Sequence, residues 1–200
     1  MPKIIEFFFD LSSPYGYMAT YRAEEIEQKT GYRLEWNPYL MGAVFKQTGR
    51  QPLVSYPLVS EYTLNDIKRS CRKISAPLSI PDKFPVVTAG ACRACYWAEE
   101  QDTQTAQQLV KALYSAYFVE NRDISKSDTV LDVIAEAGLD REHAAIALAS
   151  QELKDKARQK TSAAMHRGIF GSPFFLVNGE TFWGNDRIDD LILWCQRGGW

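Results

Sequence analysis

A serine, a proline and a glycine stand together where an apolar segment ends near the N-terminus. In Ser13-Pro14-Tyr15-Gly16, a hydroxyl residue followed by proline is typical of the first turn of a helix. The free N–H groups and the dipole of a helix N-terminus favour an anion there. Disulfide exchange needs two thiols, and this turn has none. The turn is either an anion site with Ser13 as hydrogen-bond donor or a plain cap formed by Ser12 or Ser13, and alone the cap explains it better.

A second polar segment precedes the last helical pattern of the chain. It contains Trp183-Gly184-Asn185-Asp186 followed by Arg187. A carboxylate and an amide at the mouth of a helix can bind the ammonium and carboxylate groups of a glutamyl ligand. The same residues are equally well explained as a helix cap beside a solvated arginine.

The N-terminal region has the pattern of a β-α-β unit. Residues 3–9 are almost wholly apolar and are followed by turn residues, which predicts a buried central strand. A single helix is predicted from residue 15 to Thr30-Gly31. Residues 32–39 alternate between polar and apolar side chains and predict a second strand.

The C-terminal region predicts a hairpin and a closing helix. The strands are residues 174–177 and 180–183, because Asn178-Gly179 supplies both positive-φ residues of a type I′ turn. A last helix is predicted over residues 188–196, with an Asn or Asp as its cap.

The middle of the chain has helical periodicity and no strand pattern. Residues 88–120 predict helix, and shorter helices follow over residues 127–138, 142–150 and 152–168. The order β-α-β, helical insert, β-β-α predicts an α/β thioredoxin-like fold with an inserted all-helical domain. The expected boundaries are residues 1–50 and 169–200 for the thioredoxin-like domain and 51–168 for the insertion.

The predicted fold assigns a ligand-binding position to Ser172-Pro173, which the dipeptide alone does not indicate. In the thioredoxin fold a cis-proline precedes the third strand, and the residue before it presents its backbone to a peptide ligand. A trans-proline is also tolerated at the start of a strand. The position between the insert and the hairpin favours the cis form at Pro173.

Three segments of the chain together resemble a known family. FDLSSPYGYMA, MGAVFKQTG and GIFGSPFFLVNGETFWGNDR are similar to segments of the 2-hydroxychromene-2-carboxylate isomerases and their kappa-class glutathione transferase relatives, whose fold is of the DsbA type. The resemblance spans the chain, including the insert. It departs from the family at Ser12, Ser172, Arg50 and Cys71, where the relatives usually carry other residues.

The resemblance implies a glutathione site and a place for each of its residues. Ser13 would hydrogen-bond the glutathione thiol, and Ser172 with Pro173 would hold its cysteinyl backbone. Trp183, Gly184, Asn185 and Asp186 would take the glutamyl end. The residues expected on the side of the organic substrate are Lys46, Arg50 and Phe84.

The expected activity is a glutathione-dependent cis-trans isomerisation of aromatic keto acids of the 2-hydroxychromene-2-carboxylate type. A thiolate adds reversibly to a conjugated double bond, the bond rotates, and glutathione leaves unchanged. The alternatives are a kappa-type glutathione transferase or peroxidase, a DsbA-like oxidoreductase, and a thioredoxin-like binding module without catalysis.

Cysteine and histidine give no competing site of comparable strength. Cys92 and Cys95 form the one C-x-x-C spacing, which leaves a redox role open, although small core residues on a helix explain them better. A zinc site needs further ligands, and Cys71, Cys195, His143 and His166 do not repeat a ligand spacing, so no metal is expected.

Composition and charge limit the class of partner. A net charge of −2 without a dense basic block excludes a nucleic-acid-binding face, and no apolar run reaches the length that spans a bilayer. The N-terminus reaches an acid before a signal-peptide core, so a cytoplasmic protein with reduced cysteines is expected. The family resemblance also implies a homodimer.

Overall fold

The computed structural model describes residues 3–200, and its sheet has four strands. The strand order is β2-β1-β3-β4, with β1 parallel to β2 and antiparallel to β3. Phe7 of β1 lies opposite Trp36 on one side and Phe175 on the other, which makes β1 the buried central strand that its apolar sequence predicts. The strands are β1 (Ile4–Phe9), β2 (Arg33–Pro38), β3 (Phe174–Val177) and β4 (Glu180–Trp183).

The hairpin between β3 and β4 confirms the predicted turn. Asn178 and Gly179 have φ values of 50° and 88°, as a type I′ turn requires. Val177 pairs with Glu180 and Phe174 with Trp183, so the hairpin brings Trp183 close to the residues that begin β3.

The described part of the chain contains ten α-helices. They are α1 (Pro14–Tyr21), α2 (Ala23–Thr30), α3 (Met41–Thr48), α4 (Val59–Lys73), α5 (Ala89–Glu99), α6 (Thr103–Phe118), α7 (Ser127–Glu136), α8 (Arg141–Ala149), α9 (Gln151–His166) and α10 (Ile188–Arg197). Two 3-10 helices, Leu53–Ser55 and Asn185–Arg187, precede α4 and α10. The element order is that of a thioredoxin-like fold with helices inserted between β2 and β3, as predicted.

Three details differ from the prediction. The first helix is divided at Arg22, whose N–H donates to Ala19 O at 3.1 Å and closes a tight turn. The helical stretch after residue 88 is divided by Asp102, whose carboxylate accepts from Thr105 N–H and starts α6. The last helix has Arg187 rather than an Asn or Asp at its N-cap, because the 3-10 helix runs directly into it.

The hydrophobic core is continuous from the sheet into the inserted helices. Phe9 of β1 packs against Tyr114 of α6, with ring centroids 6.0 Å apart. Tyr17 of α1 stacks on Phe118 of α6 at 5.4 Å. Helix α1, which carries the Ser13 turn at its start, is therefore supported by the insert. Within residues 3–200, none of the helices combines the length and the hydropathy needed to cross a bilayer.

Candidate active site

A cavity of about 760 Å³ opens at the N-terminal end of α1. Segments from both ends of the chain and from the insert contribute to its wall, so the fold gathers residues that are far apart in sequence. The predicted site residues that line it are Ser13, Arg50, Phe84, Ser172, Trp183, Gly184, Asn185 and Asp186. Much of the remaining wall is apolar and includes Met41, Phe45, Leu53, Ile67 and Phe170.

Ser13 is the N-cap of α1. Its backbone is extended, with φ −87° and ψ 117°, and its Oγ accepts a hydrogen bond from Gly16 N–H at 3.1 Å. The same hydroxyl donates to the carbonyl oxygen of Ser172 at 2.9 Å. Ser13 therefore caps α1, as the simpler interpretation of the sequence predicts. The same position places its hydroxyl on the cavity wall beside the Ser172 backbone.

The peptide bond between Ser172 and Pro173 is cis, which confirms the sequence expectation. The residues around it are held by side chains from elsewhere in the fold. Tyr39 donates its hydroxyl to Gly171 O at 2.7 Å, and Asp10 N–H donates to Ser172 Oγ at 2.9 Å. Pro173 does not itself line the cavity, but its carbonyl accepts from Gly184 N–H at 3.0 Å.

Gly184 forms a turn that only glycine fits well. Its φ is +111°, and a Cβ atom added there would lie 2.4 Å from Asp186 Oδ1. The Oδ1 atom of the next residue, Asn185, is buried without a hydrogen-bond partner in the described part of the chain. A buried oxygen without a partner is available to accept a hydrogen bond from an N–H or ammonium group of a ligand.

Asp10 is a buried residue of the site that the sequence analysis did not select. Its carboxylate accepts from Ser12 N–H and Ser12 Oγ, both at 2.8 Å, from Thr88 Oγ1 at 3.0 Å and from Met41 N–H at 2.8 Å. Desolvation by burial raises the pKa of this carboxyl, against the effect of those hydrogen bonds. An acid directly after a buried strand is the sequence signal that could have identified it.

Tyr15 and Asp66 form a second polar pair on the cavity wall that the sequence did not reveal. The Tyr15 hydroxyl donates to Asp66 Oδ2 at 2.7 Å, and Arg69 holds the other carboxylate oxygen at 2.5 Å. Burial, and then the hydrogen bond to Asp66, raises the pKa of Tyr15. The pair joins the first turn of α1 to α4.

The cations near the cavity differ in how they are engaged. Arg187 is paired with Asp186 at 3.0 Å and with Asp190 at 2.9 Å. Arg50 also lines the cavity, and within residues 3–200 its guanidinium has no ion pair or hydrogen bond. Lys46 on α3 and Arg50 are both exposed, but Arg50 and Phe84 line the cavity and Lys46 does not.

None of the cysteines or histidines of the described residues lines this cavity. Cys92 and Cys95 are free thiols buried on α5, and burial raises the pKa of both, which opposes the thiolate that redox exchange requires. His143 and His166 are exposed on α8 and α9. The described residues contain no cluster of His, Cys, Asp or Glu suited to a metal ion.

Comparisons with known proteins agree with this architecture. A family model described as a DSBA-like thioredoxin domain matches residues 4–192. The 2-hydroxychromene-2-carboxylate isomerase of Sphingobium xenophagum is 28% identical over 193 residues, covering 96% of this chain and 97% of that protein. Glutathione S-transferase kappa 1 of Homo sapiens is 26% identical over 203 residues, covering 96% of this chain and 90% of that protein.

A solved structure extends the similarity to three dimensions. The structure of a 2-hydroxychromene-2-carboxylate isomerase (HCCA isomerase) superposes with a TM-score of 0.86 at 24% identity, covering 97% of this chain and 95% of that chain. The match therefore includes the inserted helices as well as the sheet. Because the family model spans nearly the whole chain, this protein belongs to the family of the DSBA-like thioredoxin domain.

Proposed function

We propose that this protein is a glutathione-dependent isomerase of aromatic keto acids of the 2-hydroxychromene-2-carboxylate type. The observation that carries the proposal is the Ser13 hydroxyl, which lies on the wall of a large, mainly apolar cavity at the N-terminus of α1. Proteins named as isomerases of this type and as kappa-class glutathione transferases are similar along nearly the full chain, which supports an enzyme that uses glutathione.

The residues around the cavity fit glutathione in three respects. The orphaned Asn185 Oδ1 offers an acceptor to the ammonium group of the glutamyl end, and Asp186 adds a negative charge beside it. The backbone of Ser172 can pair with the cysteinyl residue, as an extended peptide pairs with a strand. Ser13 then lies next to the position of the sulfur, because its Oγ is 2.9 Å from Ser172 O.

Binding requires an exchange of hydrogen bonds between Ser13 and Ser172. In the structure the Ser13 hydroxyl donates to Ser172 O. When that hydroxyl turns to donate to the glutathione sulfur, the carbonyl of Ser172 is released to accept from the ligand backbone N–H. Each protein group keeps a partner, so neither is left buried and unsatisfied, a state that costs about 1–3 kcal/mol.

The hydroxyl and the helix terminus together favour the ionised sulfur. A hydrogen bond to a charged group contributes about 1.5–3 kcal/mol, and a helix N-terminus about 0.3–2 kcal/mol. At about 1.36 kcal/mol per unit, these contributions lower the thiol pKa by about one to four units from its ordinary value near 8.5. Ser13 holds its own proton throughout and forms no covalent bond.

Bound glutathione supplies a thiolate that adds reversibly to a conjugated double bond and leaves unchanged once the bond has rotated. Arg50 binds the carboxylate of the substrate, since it is the cavity cation that no described acid neutralises. Phe84 and the apolar wall hold the aromatic part. Lys46, which the family resemblance places on the substrate side, is exposed outside the lining, and we give it no direct contact.

A kappa-type transferase or peroxidase is the second candidate, because the similarity to glutathione S-transferase kappa 1 is nearly as high. It would use the same thiolate but would consume glutathione.

We also propose that the enzyme is a cytoplasmic homodimer. Its free cysteines fit a reducing compartment, and exposed apolar side chains at Leu58 and Val59 are of the kind that a partner subunit covers.

One assay separates these activities. A conjugated aromatic keto acid is incubated with the enzyme and with much less glutathione than substrate. The two substrate isomers and the free thiol are both measured over time. An isomerase converts the whole substrate pool without loss of thiol. Conversion that stops when the thiol is consumed identifies a transferase, and no conversion at any glutathione concentration contradicts the proposal.

A further inference from the structure

Asp10 is the residue through which the two halves of the candidate site are connected. Its backbone N–H donates to Ser172 Oγ at 2.9 Å, and its carbonyl accepts from Ser13 N–H at 2.9 Å. The Ser13 turn and the Ser172 turn are separated by most of the chain, and Asp10 contacts both. The residue is 3% exposed, so these contacts are made inside the protein.

The carboxylate of Asp10 extends the connection to the inserted helices. Ser12 N–H and Ser12 Oγ both donate to Oδ1, as does Thr88 Oγ1, which stands at the start of α5. Oδ2 accepts from Met41 N–H at the start of α3. Tyr114 of α6 adds a hydrogen bond to the Asp10 carbonyl at 2.9 Å. Ser12 and Met41 themselves line the cavity.

We infer that Asp10 is a positioning residue: it fixes the Ser12–Ser13 turn against Ser172 and against the starts of α3 and α5, so that the Ser13 hydroxyl is held where a sulfur binds. The inference rests on the proposed function for the identity of the sulfur compound. It does not rest on that function for the geometry, because the contacts are present in the protein alone. Asp10 does not line the cavity and does not itself touch a ligand.

The ionisable groups nearest to Asp10 come from three other elements. They are Tyr39 after β2, Cys92 on α5, and Tyr114 and Tyr117 on α6, and burial raises the pKa of each. All four therefore stay protonated near neutral pH. A substitution at Asp10 then has two opposite effects on the pKa of a thiol bound at the Ser13 turn. Loss of its negative charge lowers the pKa of a nearby thiol, whereas loss of the ordered turn raises it.

These opposite signs allow a test that needs no glutathione. A thiol is introduced at the head of α1 by Ser13→Cys, in the otherwise unchanged chain and together with Asp10→Asn or Thr88→Val. The pKa of the introduced thiol is obtained from the pH dependence of its alkylation rate, with the modified peptide identified by mass spectrometry. Thr20→Val is the matched control, because the buried Thr20 hydroxyl donates to Tyr17 O and not to Asp10.

The expected result is a low thiol pKa with Ser13→Cys alone, as a helix N-terminus produces. Asp10→Asn raises it by about one unit, a tenfold loss of thiolate relative to thiol. Thr88→Val, which changes no charge, raises it in the same direction, and Thr20→Val leaves it unchanged. A pKa that falls or stays constant in both the Asp10→Asn and Thr88→Val variants overturns the inference.

Two further readouts keep the inference testable and separate from the proposed function. If Asp10→Asn does not fold, Thr88→Val and Ser12→Ala remain, since each removes one donor and leaves the carboxylate. A glutathione titration of the unaltered protein is run in parallel. Absence of binding there contradicts the proposed function and leaves the alkylation result to decide the role of Asp10.

Discussion

The hydroxyl of Ser13 donates to the carbonyl of Ser172 across 2.9 Å, although the two residues lie 159 positions apart in the chain. This bond places a helix N-cap and a cis-peptide turn side by side, so that one ligand can contact both. Because the hydroxyl is at once an acceptor from Gly16 N–H and a donor to Ser172, its removal affects the stability of the helix and the chemistry of the site. The two effects can be measured separately.

Ser13→Ala is expected to lower kcat/KM by about tenfold to a hundredfold, because a hydrogen bond to the charged sulfur contributes about 1.5–3 kcal/mol. It also removes an N-cap, which lowers the free energy of unfolding by about 0.5–2 kcal/mol. Ser150→Ala is the matched control, since Ser150 caps α9 in the same way through Leu153 N–H. We expect both variants to lose similar stability in urea, and only Ser13→Ala to lose activity. Equal loss of activity in both would assign Ser13 to the cap alone.

Arg50→Gln is expected to raise KM for a carboxylate substrate by about tenfold or more, because one charge-assisted hydrogen bond is worth about 1.5–3 kcal/mol. Lys46→Gln is expected to change KM by less than about twofold, since Lys46 lies outside the cavity lining and does not contact a substrate bound there. Steady-state kinetics with the same substrate compare the two variants directly. The reverse order of effects would transfer the anion-binding role to Lys46.

Gly184→Ala is expected to weaken glutathione binding by about tenfold or more. The φ of +111° and the 2.4 Å approach of a Cβ atom to Asp186 Oδ1 force the turn to change, and such backbone strain costs about 1–3 kcal/mol. Gly90→Ala on α5 is the control, because a Cβ atom there meets open space and alanine favours helix. Calorimetric titration gives Kd for both. An unchanged Kd for Gly184→Ala would remove this turn from the glutathione site.

The part of the folding stability that depends on protonation of the Asp10 carboxyl is expected to fall as pH rises. Burial raises the pKa of this carboxyl above 3.8, so the folded chain binds its proton more tightly than the unfolded chain. Its contribution is therefore complete below the unfolded pKa and is lost as pH rises through the folded pKa. Urea unfolding of the unaltered protein, measured relative to Asp10→Asn across this range, should show decreasing stability with increasing pH.

At Asp102 the dependence of folding stability on pH is expected to be the opposite of that at Asp10. Hydrogen bonds from the Thr105 side chain and backbone lower the pKa of Asp102, so its contribution is present above the unfolded pKa and lost as pH falls. Relative to Asp102→Asn, the unaltered protein should gain stability as pH rises through the same range. If the free energy of unfolding changes with pH in the same direction in both comparisons, the environment assigned to Asp10 is wrong.

Features that depend on neighbouring residues were predictable from the sequence. The buried strand β1 follows from its apolar run, and the β3–β4 hairpin follows from the positive φ that Asn178-Gly179 accepts. The hydroxyl at the head of α1 follows from Ser13-Pro14. These are local properties, in which the residue type and its immediate sequence decide the conformation.

Features that depend on distant contacts were not predictable in this way. The end of α1 at Arg22 is accompanied by a contact of that side chain with Asp189, 167 positions away. Asp10 gains its role from Thr88 and Met41, and Tyr15 meets Asp66 only when α4 is in place. Periodicity gives the existence of helices, whereas the packing of the insert decides which of their side chains reach the cavity.

The central claim is that Ser13 keeps a bound glutathione sulfur ionised. The direct test is the pKa of that sulfur, measured from thiolate ultraviolet absorbance as pH is varied with glutathione bound to the unaltered protein and to Ser13→Ala. We expect a pKa about one to four units below that of free glutathione in the unaltered protein, and a return of at least about one unit toward the free value in Ser13→Ala. The same pKa in both proteins would contradict the account.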